Sequence, residues 1–121
     1  MRVGNFSGAK MAFTEAIGLD QDFAPAHFNL AKVFRGLGAF EEAAASYEIC
    51  IGLEPNNPQF QSDFGNLLTK LNRFEDAVVY LMNAATLKPK VAIYQFNTAN
   101  VFKILGQQVD AELFYKRALE I

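Results

Sequence analysis

The side chains able to do chemistry unaided are few and scattered. His27 is the single histidine and Cys50 the single cysteine. A zinc ion needs about four converging Cys, His or carboxylate ligands, and a histidine-based triad needs a nucleophile and an acid within hydrogen-bond reach. No residue is spaced to meet His27 in either way, so it is read as a packing or surface residue. Cys50 falls among small apolar residues on a helix face, which describes an inert buried thiol rather than a nucleophile. Gly36-Leu37-Gly38 precedes no strand and belongs to a helix end, so it is a turn and not a phosphate cradle. Asn5-Phe6-Ser7 matches the glycosylation acceptor pattern, but the opening MRVGNFSGAK lacks the apolar stretch of a secretory signal. These residues predict no catalytic centre, no metal site and no cofactor: the chain is read as a non-enzyme.

A different chemistry is open to polar side chains that recur at steps of three and four, the spacing of one helix face. Pro25, Asn29, Lys32 and Gly36 form one such row. Gln59, Asp63, Asn66 and Lys70 form the next, and Ile93, Asn97, Asn100 and Ile104 a third. Asn29, Asp63 and Asn97 stand in the same register, with Asn66 and Asn100 beside them and Phe28 and Phe96 nearby. An asparagine amide both donates and accepts, so a ladder of them suits the backbone of an extended peptide whatever its sequence. The candidate peptide-binding residues are therefore Phe28, Asn29, Lys32, Gln59, Asp63, Asn66, Lys70, Phe96, Asn97 and Asn100.

The elements that position these rows are written in a repeat. Ala9, Ala43, Ala77 and Ala111 follow one another at a constant 34 residues. Phe13, Tyr47, Leu81 and Tyr115 keep the same phase, as do Ala16, Cys50, Ala84 and Ala118, then Leu19, Leu53, Leu87 and Ile121, and Val3, Leu37, Leu71 and Leu105. Within a unit, Leu30, Val33, Phe34 and Leu37 make one apolar helical stripe, and Ala43, Tyr47, Cys50 and Ile51 make a second. Each unit is thus a pair of amphipathic helices. Gly4, Gly38 and Gly106 stand where first helices should close, with Asn72 in the same column, since Asn tolerates the left-handed conformation best after Gly. Pro55 and Pro89 end second helices, and Asn57-Pro58 restarts the chain as cap and first helical residue. Glu41, Glu42, Glu75, Asp76 and Asp110 lie at second-helix starts, where the helix dipole favours an acid. The alanine columns let neighbouring helices approach to ~8 to 10 Å, so enlarging Ala43 or Ala77 is expected to cost more than changing a surface Glu.

With these columns the sequence resembles the tetratricopeptide repeat family. Leu30-Ala31, Phe34, Gly38, Phe40, Ala43, Tyr47, Cys50 and Pro55 follow its pattern. So do Phe64-Gly65, Leu68, Phe74, Ala77, Leu81, Ala84 and Pro89, then Thr98-Ala99, Phe102, Gly106, Ala111, Tyr115 and Ala118. The resemblance implies an all-α fold, a right-handed superhelical solenoid of antiparallel helix pairs with about three and a half repeats. The phase divides 1–121 as a single array: a partial repeat over 1–23, present mainly as its second helix near Ser7 to Gly18, repeats at 24–57 and 58–91, and one at 92–121 lacking its last few residues. His27, Gln61 and Gln95 fill the family's tryptophan column, Gln21 replaces its first proline, and Gln108 replaces an aromatic. In the family the first-helix rows line a concave groove, which implies a module that binds an extended peptide or helix of a partner protein. The two-carboxylate clamp of chaperone-binding arrays is not matched, because Phe28, Lys32, Asp63, Ile93 and Asn97 occupy its places and Asp63 would repel a carboxylate. The asparagine column is similar to that of the repeats that recognise substrates for O-linked sugar transferases, so a substrate-recognition segment of a larger enzyme is one alternative.

Composition narrows the partners. The 121 residues are 51% hydrophobic and 20% charged, with net charge -2 and a pI near 5.3. That balance lacks the clustered positive charge that phosphate backbones require, so nucleic acid is not expected. No apolar run approaches the ~18 residues of a membrane span. A lone cysteine cannot form an internal disulfide, and a cytoplasmic setting is the expectation. The array begins and stops out of phase, which suggests a fragment of a longer scaffold. Met11 and Phe13 at one end, and Leu119 and Ile121 at the other, lack neighbours that would bury them. Homo-oligomerisation through these ends, giving a self-assembling structural array, is the other alternative.

Overall fold

A computed structural model describes residues 3–121, with side chains from Phe6 onward. The Val3 column position and the Asn5 side chain of the acceptor triplet lie outside the described side chains. Seven α-helices and no strand occur among the described residues: α1 Val3–Leu19, α2 Ala24–Gly36, α3 Phe40–Leu53, α4 Pro58–Lys70, α5 Phe74–Leu87, α6 Ala92–Ile104 and α7 Gln108–Leu119. The all-α reading is correct. The first helix differs from expectation. Its backbone is helical from Val3 without a break, so Gly4 lies inside α1 rather than closing an earlier helix. A glycine removes the Cβ penalty of the left-handed turn but does not impose one, and the helical bonds persist through it.

The helices form two compact units, Met1–Pro55 and Asn56–Ile121. In the first, α2 packs against both α1 and α3. Ala31, Ala43, Tyr47 and Cys50 are fully buried there, so the small-residue columns sit where the helices touch. Phe6 lies against Gly36, whose missing Cβ would come within 2.5 Å of the phenyl ring. The Lys10 ammonium lies over the Phe34 ring.

In the second unit α4 packs on α5, α5 on α6, and α6 on α7, while α6 also touches α4. Phe60, Phe64, Leu67, Leu68, Ala77, Leu81 and Ala84 are buried. They are joined by a cluster of Ala85, Ala99, Phe102, Ala111 and Phe114 with Val78, Tyr94 and Tyr115 at its edge. Phe64 meets Tyr80 edge-on at 4.6 Å between ring centroids, a favourable aromatic geometry.

The ends of the first helices share one device. Gly38, Asn72 and Gly106 have φ of 78°, 61° and 77°. In each case the next residue's N–H reaches back to a carbonyl of the last turn: Ala39 to Phe34, Arg73 to Leu68 and Gln107 to Phe102, at 2.8, 2.9 and 2.9 Å. This is the Schellman closure expected of that column. A Cβ at Gly106 would meet no atom within 4 Å, so Gly106→Ala isolates the backbone effect. It is expected to cost ~1 to 2 kcal/mol, whereas Asn72→Gly should be neutral or stabilising. Urea unfolding of the two variants checks this, and equal effects would refute it.

Helix starts are less uniform. The Asn57 side chain accepts from the N–H groups of Gln59 and Phe60 at 3.1 and 3.3 Å, capping α4 ahead of Pro58. The second helices have no side-chain cap and begin instead with the acidic first turns expected, Glu41 and Glu42, Glu75 and Asp76, and Asp110.

Candidate interaction surfaces

The polar rows ride on the first helices, each fixed by the apolar stripe on its opposite side. In the second unit, α4 carries Gln59, Asn66 and Lys70 exposed and Asp63 half-buried. Its neighbour α6 carries Asn97 and Asn100 half-buried and Phe96 exposed. Asp63 and Asn97 stand in one register, and Asn66 and Asn100 in another. The acceptor of Asn100 is already engaged: the Tyr115 hydroxyl donates to its Oδ1 at 2.5 Å, tying α6 to α7. In the first unit, Asn29 is half-buried and Lys32 exposed on α2.

Phe28 does not serve as the exposed contact residue expected of it. It is buried between α2 and α3, its ring 6.0 Å from that of Tyr47, and the Lys32 ammonium lies 4.6 Å above its face. Binding gains by taking an exposed ring out of water, and here the core has already claimed that gain.

The structure also gathers residues that the sequence placed in two separate groups. Ala92, Ile93 and Phe96 on α6, with Tyr115, Ala118 and Leu119 on α7, line an apolar cleft of about 560 Å³. Phe96 meets Tyr115 edge-on at 5.6 Å. Leu119, expected at a self-association end, thus shares a cleft with Phe96, expected in a peptide groove. Of the other end residues, Met11 and Ile121 are exposed and Phe13 is half-buried. Tyr115 and Ala118 were legible only as core columns. What opens them is that no described helix covers α7 as α6 covers α5.

The column that departs from the family pattern has a structural task. His27 Nε2 lies 2.8 Å from the carbonyl of Gln21. Gln95 Nε2 donates to the carbonyl of Pro89 at 3.0 Å and to that of Ala85 at 3.3 Å. Each buried polar side chain therefore reaches back six residues to hold the turn that precedes its helix. Gln61 accepts from the Asn83 amide at 3.2 Å, joining α4 to α5. This satisfies His27 as a packing residue. Cys50 is likewise structural: its Sγ is 3.7 Å from the Ala24 carbonyl, and burial, with a lesser contribution from the Glu54 charge, pushes its pKa up to about 12. No group of three or more His, Cys, Asp and Glu among the described residues could hold a metal ion, and no described helix is long and apolar enough to cross a membrane.

Residues 1–58 and 60–91 each match the sequence profile of the tetratricopeptide repeat. The chain belongs to the tetratricopeptide repeat family. Solved structures share its fold. MamA superposes with a TM-score of 0.90 at 19% identity over 98% of this chain and 69% of its own. A MamA fragment from Desulfovibrio magneticus RS-1 gives 0.86 at 14% over 97% and 66%. PilF of Pseudomonas aeruginosa gives 0.86 at 25% over 97% and 54%. The chain thus spans roughly half to two thirds of the length of these structures. No curated protein matches it in sequence. Tetratricopeptide repeats are protein interaction modules.

Proposed function

We propose that this tetratricopeptide array holds an extended segment of a partner protein against the polar face of its first helices. The observation that supports it is the pairing of like positions on neighbouring helices, Asp63 with Asn97 and Asn66 with Asn100, flanked by exposed Phe96. The Asn66 and Asn97 amides, the remaining Asn100 donor and the Asp63 carboxylate, an acceptor only, can bond successive peptide groups, and an aromatic side chain gives the segment one apolar anchor. Neighbouring helices ~10 Å apart leave room for about three extended residues at ~3.3 Å each, so a short peptide binds weakly and a longer partner gains by engaging more first helices. We assign this role to a cytoplasmic, non-catalytic protein.

The test is a peptide-library selection on the intact chain, followed by titration of the best peptide against Asn66→Ala and Asn97→Ala. Each should raise Kd about tenfold, equivalent to ~1.4 kcal/mol, while leaving the Tm within about a degree. If stability falls in step with affinity, these asparagines hold the fold and the reading is wrong.

A further inference from the structure

The outer sides of the second helices carry a stripe of their own. On α5 it runs Glu75, Val79, Met82 and Thr86, and on α7 it runs Val109, Leu113, Lys116 and Glu120, at steps of four and three. All of these side chains are exposed. The α5 stripe is open although α5 packs against both α4 and α6, with Val79 53% and Met82 38% exposed. The α7 stripe stands in the same columns 34 residues later, so its exposure follows from the face it occupies and not from the position of α7 in the chain. The two stripes are neighbours. Val78 and Ala85 of α5 share a core cluster with Phe114 of α7, and Thr86 and Arg117 line one cleft. The C-terminal halves of α5 and α7 thus meet, and the two helices run the same way.

The residue types on this face describe what covers it. Glu41, Glu75 and Val109 share one column, and Ala45, Val79 and Leu113 another. Val109 replaces an acid in the first turn of α7, where the helix dipole favours one, and it is 81% exposed. A β-branched apolar residue at that place is favoured neither by the helix nor by water, so burial against another surface is what suits it. Val79, Met82, Val109 and Leu113 form an apolar centre with charge of opposite sign along its two edges. Glu75, Asp76 and Asp110 lie at the starts of α5 and α7. Lys88, Lys90, Lys116 and Arg117 lie at their ends, and all seven are exposed. Arg73 and Glu120 are the exceptions, one on each edge.

We infer that this outer face of α5 and α7 docks on the same face of a second copy of the chain. A twofold axis running across the helices turns one copy antiparallel to the other. The acidic edge of each then lies on the basic edge of its partner, and the apolar centres meet and lose the water that surrounds them. A parallel pairing would set acid on acid and base on base, so the charges fix the direction of the contact as well as its occupant. A face complementary to itself makes an isologous contact, which closes at a dimer. The contact uses second helices only. It leaves the polar rows of the first helices open and does not depend on the peptide-binding role proposed above.

The experiment is sedimentation equilibrium of the full chain over a wide concentration range. The wild type should fit a reversible equilibrium of monomer and dimer with nothing larger. Leu113→Asp, at an exposed position, should be monomeric with an unchanged circular dichroism spectrum. Two charge variants test the direction of the pairing: Glu75→Lys with Asp76→Lys, and Lys116→Glu with Arg117→Glu. Each alone sets like charges against each other at both ends of the contact and should weaken the dimer about tenfold or more. Mixed in equal amounts, they should form a heterodimer as tight as the wild-type dimer, because every edge again meets its opposite. A wild type monomeric at every concentration overturns the inference, and so does a dimer that Leu113→Asp leaves intact. Folded charge variants that dimerise no better mixed than alone overturn it too, since the two edges then do not meet. Leu113→Asp keeps the test decisive should charge reversal at a helix end unfold the chain.

Discussion

Gly65→Ala should destabilise the wild type and stabilise the Leu81→Ala variant. A Cβ placed on Gly65 would lie 2.6 Å from Cδ2 of Leu81, 2.7 Å from its Cγ and 3.2 Å from its backbone nitrogen. Leu81 is 1% exposed, so its side chain has little space to withdraw into, and overpacking of this kind costs ~1 to 3 kcal/mol. Leu81→Ala alone should cost ~3 kcal/mol for lost burial and the cavity left behind. In that background the atoms that crowd Gly65 are gone except the nitrogen, the added methyl partly fills the cavity, and alanine is favoured over glycine in a helix by ~1 kcal/mol. Urea unfolding of all four proteins measures the coupling, expected at ~2 kcal/mol or more with the sign of the Gly65 effect reversed. Additive costs would mean that α4 and α5 do not depend on this contact for their approach.

That contact illustrates what the sequence could and could not say. Gly65 shares a column with Ala31 and Ala99, and small residues at that register announce a close approach of helices. The residue that meets it, Leu81, belongs to another column, and no periodicity names the pairing. The helix closures at Gly38, Asn72 and Gly106 were legible because the left-handed conformation restricts residue type so strongly. Gly4, in the same column, misleads for the converse reason: a glycine permits that turn without imposing it, and here the helix continues through it.

The polar column at His27, Gln61 and Gln95 looked like a loss of packing and is a gain of bonding. A tryptophan would fill the volume, whereas these side chains satisfy turn carbonyls or a neighbouring amide that burial would otherwise leave unpaired. Which carbonyl each would reach depends on how the turn folds back, a fact of the tertiary structure. The candidate site divides along the same line. Register placed the Asn and Asp residues on one face, since a helical period dictates that much. Exposure is set by the neighbouring helix, and so Phe28 sank beneath Lys32 while Phe96, two helix rows further, stayed open. The cleft was unreadable as an opening because Tyr115 and Ala118 match buried columns elsewhere. Only the absence of a covering helix among the described residues makes the same residue types a surface.

Cys50 should be close to inert toward thiol reagents while the chain is folded, and its alkylation should report unfolding. Its side chain is fully buried, and burial first, then the Glu54 charge, moves its pKa from 9.0 to about 12. The thiolate is the reacting form, so near pH 8 its population falls on the order of a thousandfold by the definition of the pKa, before access is considered. Because this acid ionises later in the folded chain than in the unfolded one, the unfolded state gives up its proton first as pH rises. The stabilisation from keeping the thiol neutral is complete below pH 9.0 and is lost progressively toward pH 12. Two measurements follow: alkylation by iodoacetamide at pH 8 in rising urea, and urea midpoints of wild type and Cys50→Ala from pH 8 to 11. The alkylation rate should climb with the fraction unfolded. The wild-type midpoint should fall more steeply above pH 9 than that of Cys50→Ala, whose alanine matches Ala16, Ala84 and Ala118 in the same column. Rapid modification of the native chain, or parallel pH profiles, would show that Cys50 is accessible and that α2 does not close over it.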